Sequence, residues 1–188
     1  KRKNKTILHV GRLCEERSVD VVIKAFSNVL ERMDNVELVI ISDGPAKFEL
    51  KRLAKSLGLM DKVKFTGFVS ESVKQMISRR ADLFVIASTT DTQGLVLLEA
   101  MNYGLPCVVA RAGGLKDFVV DGKTGFFFKP GDVDDCAEKM IRVLKDEKLQ
   151  KKMSDYNQNF VRNFSREKCT EKLLKIYKEL QFQYSSSP

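Results

Sequence analysis

DLFVIASTTDTQGLVLLEAM, residues 82–101, passes from an apolar run through a polar loop into a helical pattern. Asp82–Ala87 is apolar on both faces, which suits a parallel strand covered by helices on each side. Ser88–Gly94 is polar and ends on glycine. Leu95–Asn102 then carries apolar residues at helical spacing. The rest of the chain repeats this strand–loop–helix step. Strands are predicted at Thr6–Val10, Val36–Ile41, Val63–Thr66, Pro106–Ala110 and Gly125–Phe128. Between them, Val19, Val22, Phe26, Val29 and Met33 form one apolar stripe. Lys47–Leu57, Ser72–Arg79, Asp134–Leu144 and Glu167–Leu180 show similar periods, and in the last Leu173, Ile176, Tyr177 and Leu180 share a face. Such alternation predicts an α/β fold, a doubly wound parallel sheet with right-handed crossovers.

The 188 residues, 43% of them hydrophobic, suit one domain with a substantial core. We place that domain at 1–184 and expect Ser185–Pro188 to fray. No run approaches the roughly 18–20 apolar residues that span a bilayer. The opening Lys1-Arg2-Lys3-Asn4-Lys5 leads into a strand, without the apolar region of a signal peptide. Cys14, Cys107, Cys136 and Cys169 form no CxxC, so reduced thiols and a cytoplasmic location are expected. His9 is the sole histidine, which argues against a metal site. The net charge of +8 is spread over lysines mixed with acidic residues, without interleaved aromatics. This reads as a solvated surface and not as a nucleic-acid interface. Affinity for phosphorylated small molecules, or peripheral association with an anionic membrane, stays open.

Ligands of doubly wound sheets bind beyond the carboxyl ends of the strands, near helix N-termini. The loops after the strands therefore carry the candidates. After the first strand, Arg12 and Arg17 in Gly11-Arg12-Leu13-Cys14-Glu15-Glu16-Arg17-Ser18 can both reach an anion there. The same spacing also suits two surface arginines paired with Glu15 and Glu16. Ser42-Asp43-Gly44-Pro45 marks a tight turn, and Gly67 precedes Phe68 and Val69. In the quoted segment, backbone N–H groups at Gly94–Val96 open a helix and would face a phosphate. Asp91 and Glu99 are carboxylates eight positions apart that can accept hydroxyl protons in one cleft. The plainer reading has Asp91 as a helix cap and Glu99 as a solvated side chain. Gly113-Gly114 enters another helix, and Asp121–Gly125 suggests a hairpin-like turn with positive φ at glycine. Asp132-Val133-Asp134 has the spacing of a metal-binding D-x-D, but its place before an amphipathic stretch makes it a helix cap.

The ordered set VGRL…ER, SDGP, FTGFV, DTQGLVLLEAMNYGLPCVV, GG, DGKTGFFF, PGD resembles the C-terminal domain of family-4 retaining glycosyltransferases, which have the GT-B fold. The likeness runs from Gly11 to about Leu180. It implies a Rossmann-like domain that binds a nucleoside-diphosphate sugar, UDP- or GDP-linked, with no metal or other cofactor. Arg12 and Arg17 look like the family's basic pair on the diphosphate. Asp91 and Glu99 look like its E-x7-E pair, the first on the sugar and the second on the ribose. Asp91, Arg12 and Arg17 are the implied catalytic residues. The implied donor site adds Gly11, Gln93, the amides of Gly94, Leu95 and Val96, and Phe68 and Val69 beside the base. This sequence departs from the family at Arg17, where lysine is usual, and at Asp91, where glutamate is. Ser18 and Ser42 replace frequent glycines, and Gln93 a frequent aromatic. The TDTQG stretch is nearer the variant of some glycolipid glucosyltransferases.

Full-length members have two Rossmann-like domains around one cleft. The resemblance therefore implies a fragment, with an acceptor glycan or glycolipid held by an N-terminal domain. Three other readings are open. A non-catalytic nucleotide-sugar-binding module would bind without transfer, and a GT-B nucleotide-sugar epimerase would act without an acceptor. A nucleic-acid-binding domain would show salt-dependent binding.

Overall fold

A computed structural model describes residues 4–185. Six parallel strands form one sheet in the order β3-β2-β1-β4-β5-β6. They are β1 (Lys5–Val10), β2 (Val36–Ile41), β3 (Val63–Gly67), β4 (Leu83–Ile86), β5 (Cys107–Ala110) and β6 (Gly125–Phe128). The central strand β1 pairs in register with β2 from Lys5 opposite Val36 to Val10 opposite Ile41. On its other side Ile7 and Leu8 face Leu83 and Phe84 of β4. Among the described residues there are seven α-helices: α1 (Val19–Leu30), α2 (Lys47–Ser56), α3 (Glu71–Ser78), α4 (Leu95–Asn102), α5 (Val133–Lys145), α6 (Glu147–Phe160) and α7 (Arg166–Ser185).

Alternating side chains of the inner strands feed two cores. Ile7 packs with α1, α2 and α5 on one face. Leu8 packs with α4, Ile77 of α3 and the segments near Leu105 and Leu115 on the other. Val22, Ile23, Phe26 and Val29 of α1 are fully buried. Burying each such side chain contributes roughly 1.5–3 kcal/mol, so α1 holds the loop before it, which carries Arg17, firmly in place. The cysteines Cys14, Cys107, Cys136 and Cys169 are free thiols.

The structure departs from sequence expectation at three places. Helix α6 was not foreseen. Its buried residues are only Met153 and Asn157, too few to print an apolar stripe. Asn157 instead donates from Nδ2 to the carbonyls of Leu105, at 2.7 Å, and Thr124, at 2.9 Å. Second, the Asp121–Gly125 turn has Gly122 at φ 77°, but it is no hairpin, because β6 pairs parallel with β5. Third, Leu173, Ile176, Tyr177 and Leu180 of α7 do share a face, yet they stand 44–61% exposed. Helix α7 ends at Ser185, and residues 186–188 of the expected tail lie outside the described residues, as do Lys1, Arg2 and Lys3.

Asp132 caps α5 by accepting from the Asp135 amide at 3.0 Å. Asp134 accepts from Asn28 Nδ2 at 2.7 Å. Both carboxylates of the D-x-D spacing thus serve the local structure, as the capping reading requires.

Candidate functional site

The strand order reverses between β1 and β4, and at such a point the loops leaving the two strands part and leave a crevice. The loop after β1 makes a 3-10 turn at Glu15–Arg17 and enters α1 through Ser18, at φ 49°. That left-handed residue turns the chain so that Arg17 points back over the sheet. Its guanidinium crosses to the loop after β4, where Nη1 donates to Asp91 Oδ2 and to the buried Ser88 Oγ at 3.3 Å. The ion pair is half-shielded, with side-chain exposures of 32% for Arg17 and 13% for Asp91.

Asp91 also organises its own loop. Its Oδ1 accepts from the Gly94 amide at 2.9 Å and the Gln93 amide at 3.3 Å. Burial by itself would raise the Asp91 pKa, but the Gly94 amide and the Arg17 guanidinium outweigh it and hold the carboxyl below its ordinary value. Asp91 is therefore a cap on its own loop and, at the same time, the partner of Arg17 at the strand-order reversal. One expectation changes: the Gly94 amide is not open toward the cleft, because Asp91 takes it. The Leu95 and Val96 amides, the next two, find no acceptor among the described residues. They are free donors at the N-terminus of α4, where an anion can be held. Gly94 sits at φ 59°, and a Cβ there would lie 2.8 Å from Phe118.

The loop is braced from below by Gly113 and Gly114. The Gly114 amide donates to Asp91 O at 2.8 Å. Beneath the start of the β1 loop lies His9, 1% exposed. Its Nδ1 faces Val85 O at 3.0 Å, and its Nε2 has no partner.

The other candidates spread around this centre. Arg12 does not join Arg17. It is exposed and lines a cavity of about 450 Å³ with Glu15, Glu16 and Glu49. Its charge helps to lower the Glu16 carboxyl, after the stronger hydrogen bonds from the Glu16 backbone and Cys14. Glu99, 52% exposed, reaches Lys74 Nζ of α3 at 3.0 Å. It therefore has a partner in spite of its apolar neighbours, and it faces α3. Phe68 is 82% exposed just past β3, with Val69 half-buried beside it. Gly11 donates to Ile41 O at 3.3 Å, and Gln93 is exposed.

Ser88, Lys74, Phe118 and the buried Nε2 of His9 were not singled out from the sequence. Ser88 had a signal, since it is the first polar residue after β4. The others depend on which loops the fold brings together.

Among the described residues no helix is long and apolar enough to cross a membrane. The family model described as Glycosyl transferases group 1 matches residues 1–160. A sulfoquinovosyl transferase of Arabidopsis thaliana, SQD2, is 38% identical over 143 residues, which are 74% of this chain and 26% of that protein. A solved C-terminal domain of a group 1 family glycosyl transferase from Francisella tularensis superposes with a TM-score of 0.78 at 25% identity, covering 85% of each chain. Anabaena HepE, solved in complex with UDP and glucose, gives a TM-score of 0.80 at 25% identity over 98% of this chain and 49% of its own. The chain spans 26–45% of the first curated relatives it matches.

Proposed function

The chain belongs to the group 1 glycosyl transferases and has the fold of the C-terminal domain of GT-B members; from that premise we propose that it holds a nucleoside-diphosphate sugar for transfer to an acceptor hydroxyl, with retention at the anomeric carbon. The observation that carries this reading is the meeting of Arg17, Asp91 and the unpaired Leu95 and Val96 amides at the strand-order reversal. A cation and two N–H groups suit a diphosphate, and a carboxylate beside them suits sugar hydroxyls. We assign Arg17, Arg12 and the α4 amides to the diphosphate, and Asp91 to the sugar. Glu99, oriented by Lys74, is assigned to the ribose, and Phe68 and Val69 to the base. As the glycosidic bond breaks, charge grows on the leaving diphosphate, and fixed donors stabilise it best there. With this work done by arginines and amides, no divalent cation is required. HepE's UDP complex favours a UDP-linked donor, with GDP the next choice. The acceptor is a glycan or glycolipid held by a second domain, and the whole protein works in the cytoplasm.

Titration calorimetry of the chain with UDP, UDP-glucose, GDP and GDP-mannose, in EDTA, tests this. At least one pair binds, and Arg17→Ala or Arg12→Ala weakens it roughly tenfold to a hundredfold, as loss of a hydrogen bond to a charged group predicts. Glu99→Gln weakens both the diphosphate and the sugar nucleotide. Silence from all four ligands, or binding restored only by manganese, would overturn the corresponding part.

A further inference from the structure

Arg17 and Asp91, assigned to different parts of the donor, are bonded to each other. Both carboxylate oxygens of Asp91 are in use: Oδ1 takes the Gly94 and Gln93 amides, and Oδ2 takes Arg17. Ser88 Oγ, buried at the end of β4, holds the same guanidinium nitrogen at 3.3 Å. A ligand oxygen that accepts from Nη1, the nitrogen both partners share, must therefore displace Asp91 or Ser88. On the donor-site reading above, we infer that this ion pair is a specificity element that favours the intact sugar nucleotide over the spent nucleoside diphosphate.

The argument is an exchange of partners. A nucleoside diphosphate offers oxygens to Arg17 but no hydroxyl within reach of the sugar position. Where it takes Nη1, it leaves Asp91 Oδ2 without that hydrogen bond and brings further negative charge beside it. The pair is half-shielded from solvent, so salt and water compensate only in part. An intact donor replaces what it removes, because a sugar hydroxyl donates to Oδ2 as a phosphate oxygen accepts from Arg17. Discrimination thus comes from the group that the wrong ligand leaves unpaired. During turnover the same exchange reverses: once the sugar has left, Asp91 recaptures Arg17 and helps to expel the diphosphate.

The test compares UDP with UDP-glucose, and GDP with GDP-mannose, on the chain and on Asp91→Asn, Arg17→Ala and the double variant. Asparagine caps as well as aspartate, so Oδ1 keeps the Gly94 amide. Asp91→Asn is expected to tighten diphosphate binding by about three- to tenfold, roughly 0.7–1.4 kcal/mol, without tightening the sugar nucleotide. In the Arg17→Ala background the gain falls below about twofold, because there is no cation to release. Asp91→Ser, which also caps, must shift the preference the same way, and melting temperatures verify that each variant is folded. Unchanged or weaker diphosphate binding in Asp91→Asn and Asp91→Ser would overturn the inference. So would an equal gain in the Arg17→Ala background, which would mean general charge repulsion. Failure of the wild-type chain to bind any of the four ligands would instead sink the donor-site reading on which the inference rests.

Discussion

His9 is where a single side chain ties the core to the cleft. A carbonyl oxygen only accepts, so the 3.0 Å contact with Val85 O places the proton on Nδ1 and leaves Nε2 a bare acceptor. Burial, chiefly, lowers the His9 pKa to about 4; the Arg17 charge acts in the same direction and the Val85 carbonyl opposes it. The unfolded chain takes up this proton near the ordinary value of 6.5, the folded chain only near 4. Between those values the unfolded state binds more protons, so stability falls as pH falls through that window and is unaffected above it. From pH 7 to pH 5 the loss from this group is roughly 2 kcal/mol. Urea unfolding at the two pH values should show it, and His9→Phe should flatten the slope. An unchanged slope in the variant would refute the assignment. In the sequence His9 stood out only as an unlikely metal ligand, because nothing local tells which strand covers it. Ser18 and Ser42 were more legible. Both depart from glycines frequent in similar chains, and both take positive φ, 49° and 120°.

Among the elements, the strands were readable because Val, Ile and Leu fill both faces, as a sheet packed on two sides demands. Their ends moved by a residue or so, for instance from Asp82–Ala87 to Leu83–Ile86. Helix α6 was not readable, since Asn157 rather than a stripe of apolar residues fixes it to the molecule. Arg17 and Asp91 were each nominated, but their contact spans 74 positions and follows only from the order of the strands. The Gly113-Gly114 turn shows the same dependence. A Cβ on Gly114 would lie 2.2 Å from Thr92 O, with no relief from a flexible side chain. Gly114→Ala must therefore push the turn and the Asp91 loop apart. Overpacking of this kind costs about 1–3 kcal/mol, a fall of roughly 2–12 °C in Tm for a chain of this size. We expect sugar-nucleotide affinity to fall at least about tenfold as Asp91 and the α4 amides lose alignment. A lowered Tm with full affinity would show that this turn supports the fold alone.

For the whole molecule, the decisive feature is that every group assigned to the donor leaves the carboxyl end of the sheet. Arg17 follows β1, Phe68 follows β3, and Asp91 and the α4 amides follow β4. On the proposed reading they line the donor side of the site. Transfer also needs an acceptor hydroxyl held within about 3–3.5 Å of the anomeric carbon, and correct placement of two reactants supplies roughly 7–11 kcal/mol of a barrier. None of the groups identified on this chain is placed for that task, and the chain spans 26–45% of its first curated relatives. We therefore expect the 188-residue chain to bind the sugar nucleotide without transferring it. Water can still enter an open cleft, so slow hydrolysis of the donor is the activity expected of the chain alone. Incubation with radiolabelled donor and candidate glycan or glycolipid acceptors, followed by separation of free sugar from product, distinguishes the outcomes. Free sugar or unchanged donor agrees with a donor-side site alone. Robust transfer would place the acceptor site on this chain, and the groups holding it would then have to lie among loops assigned no role above.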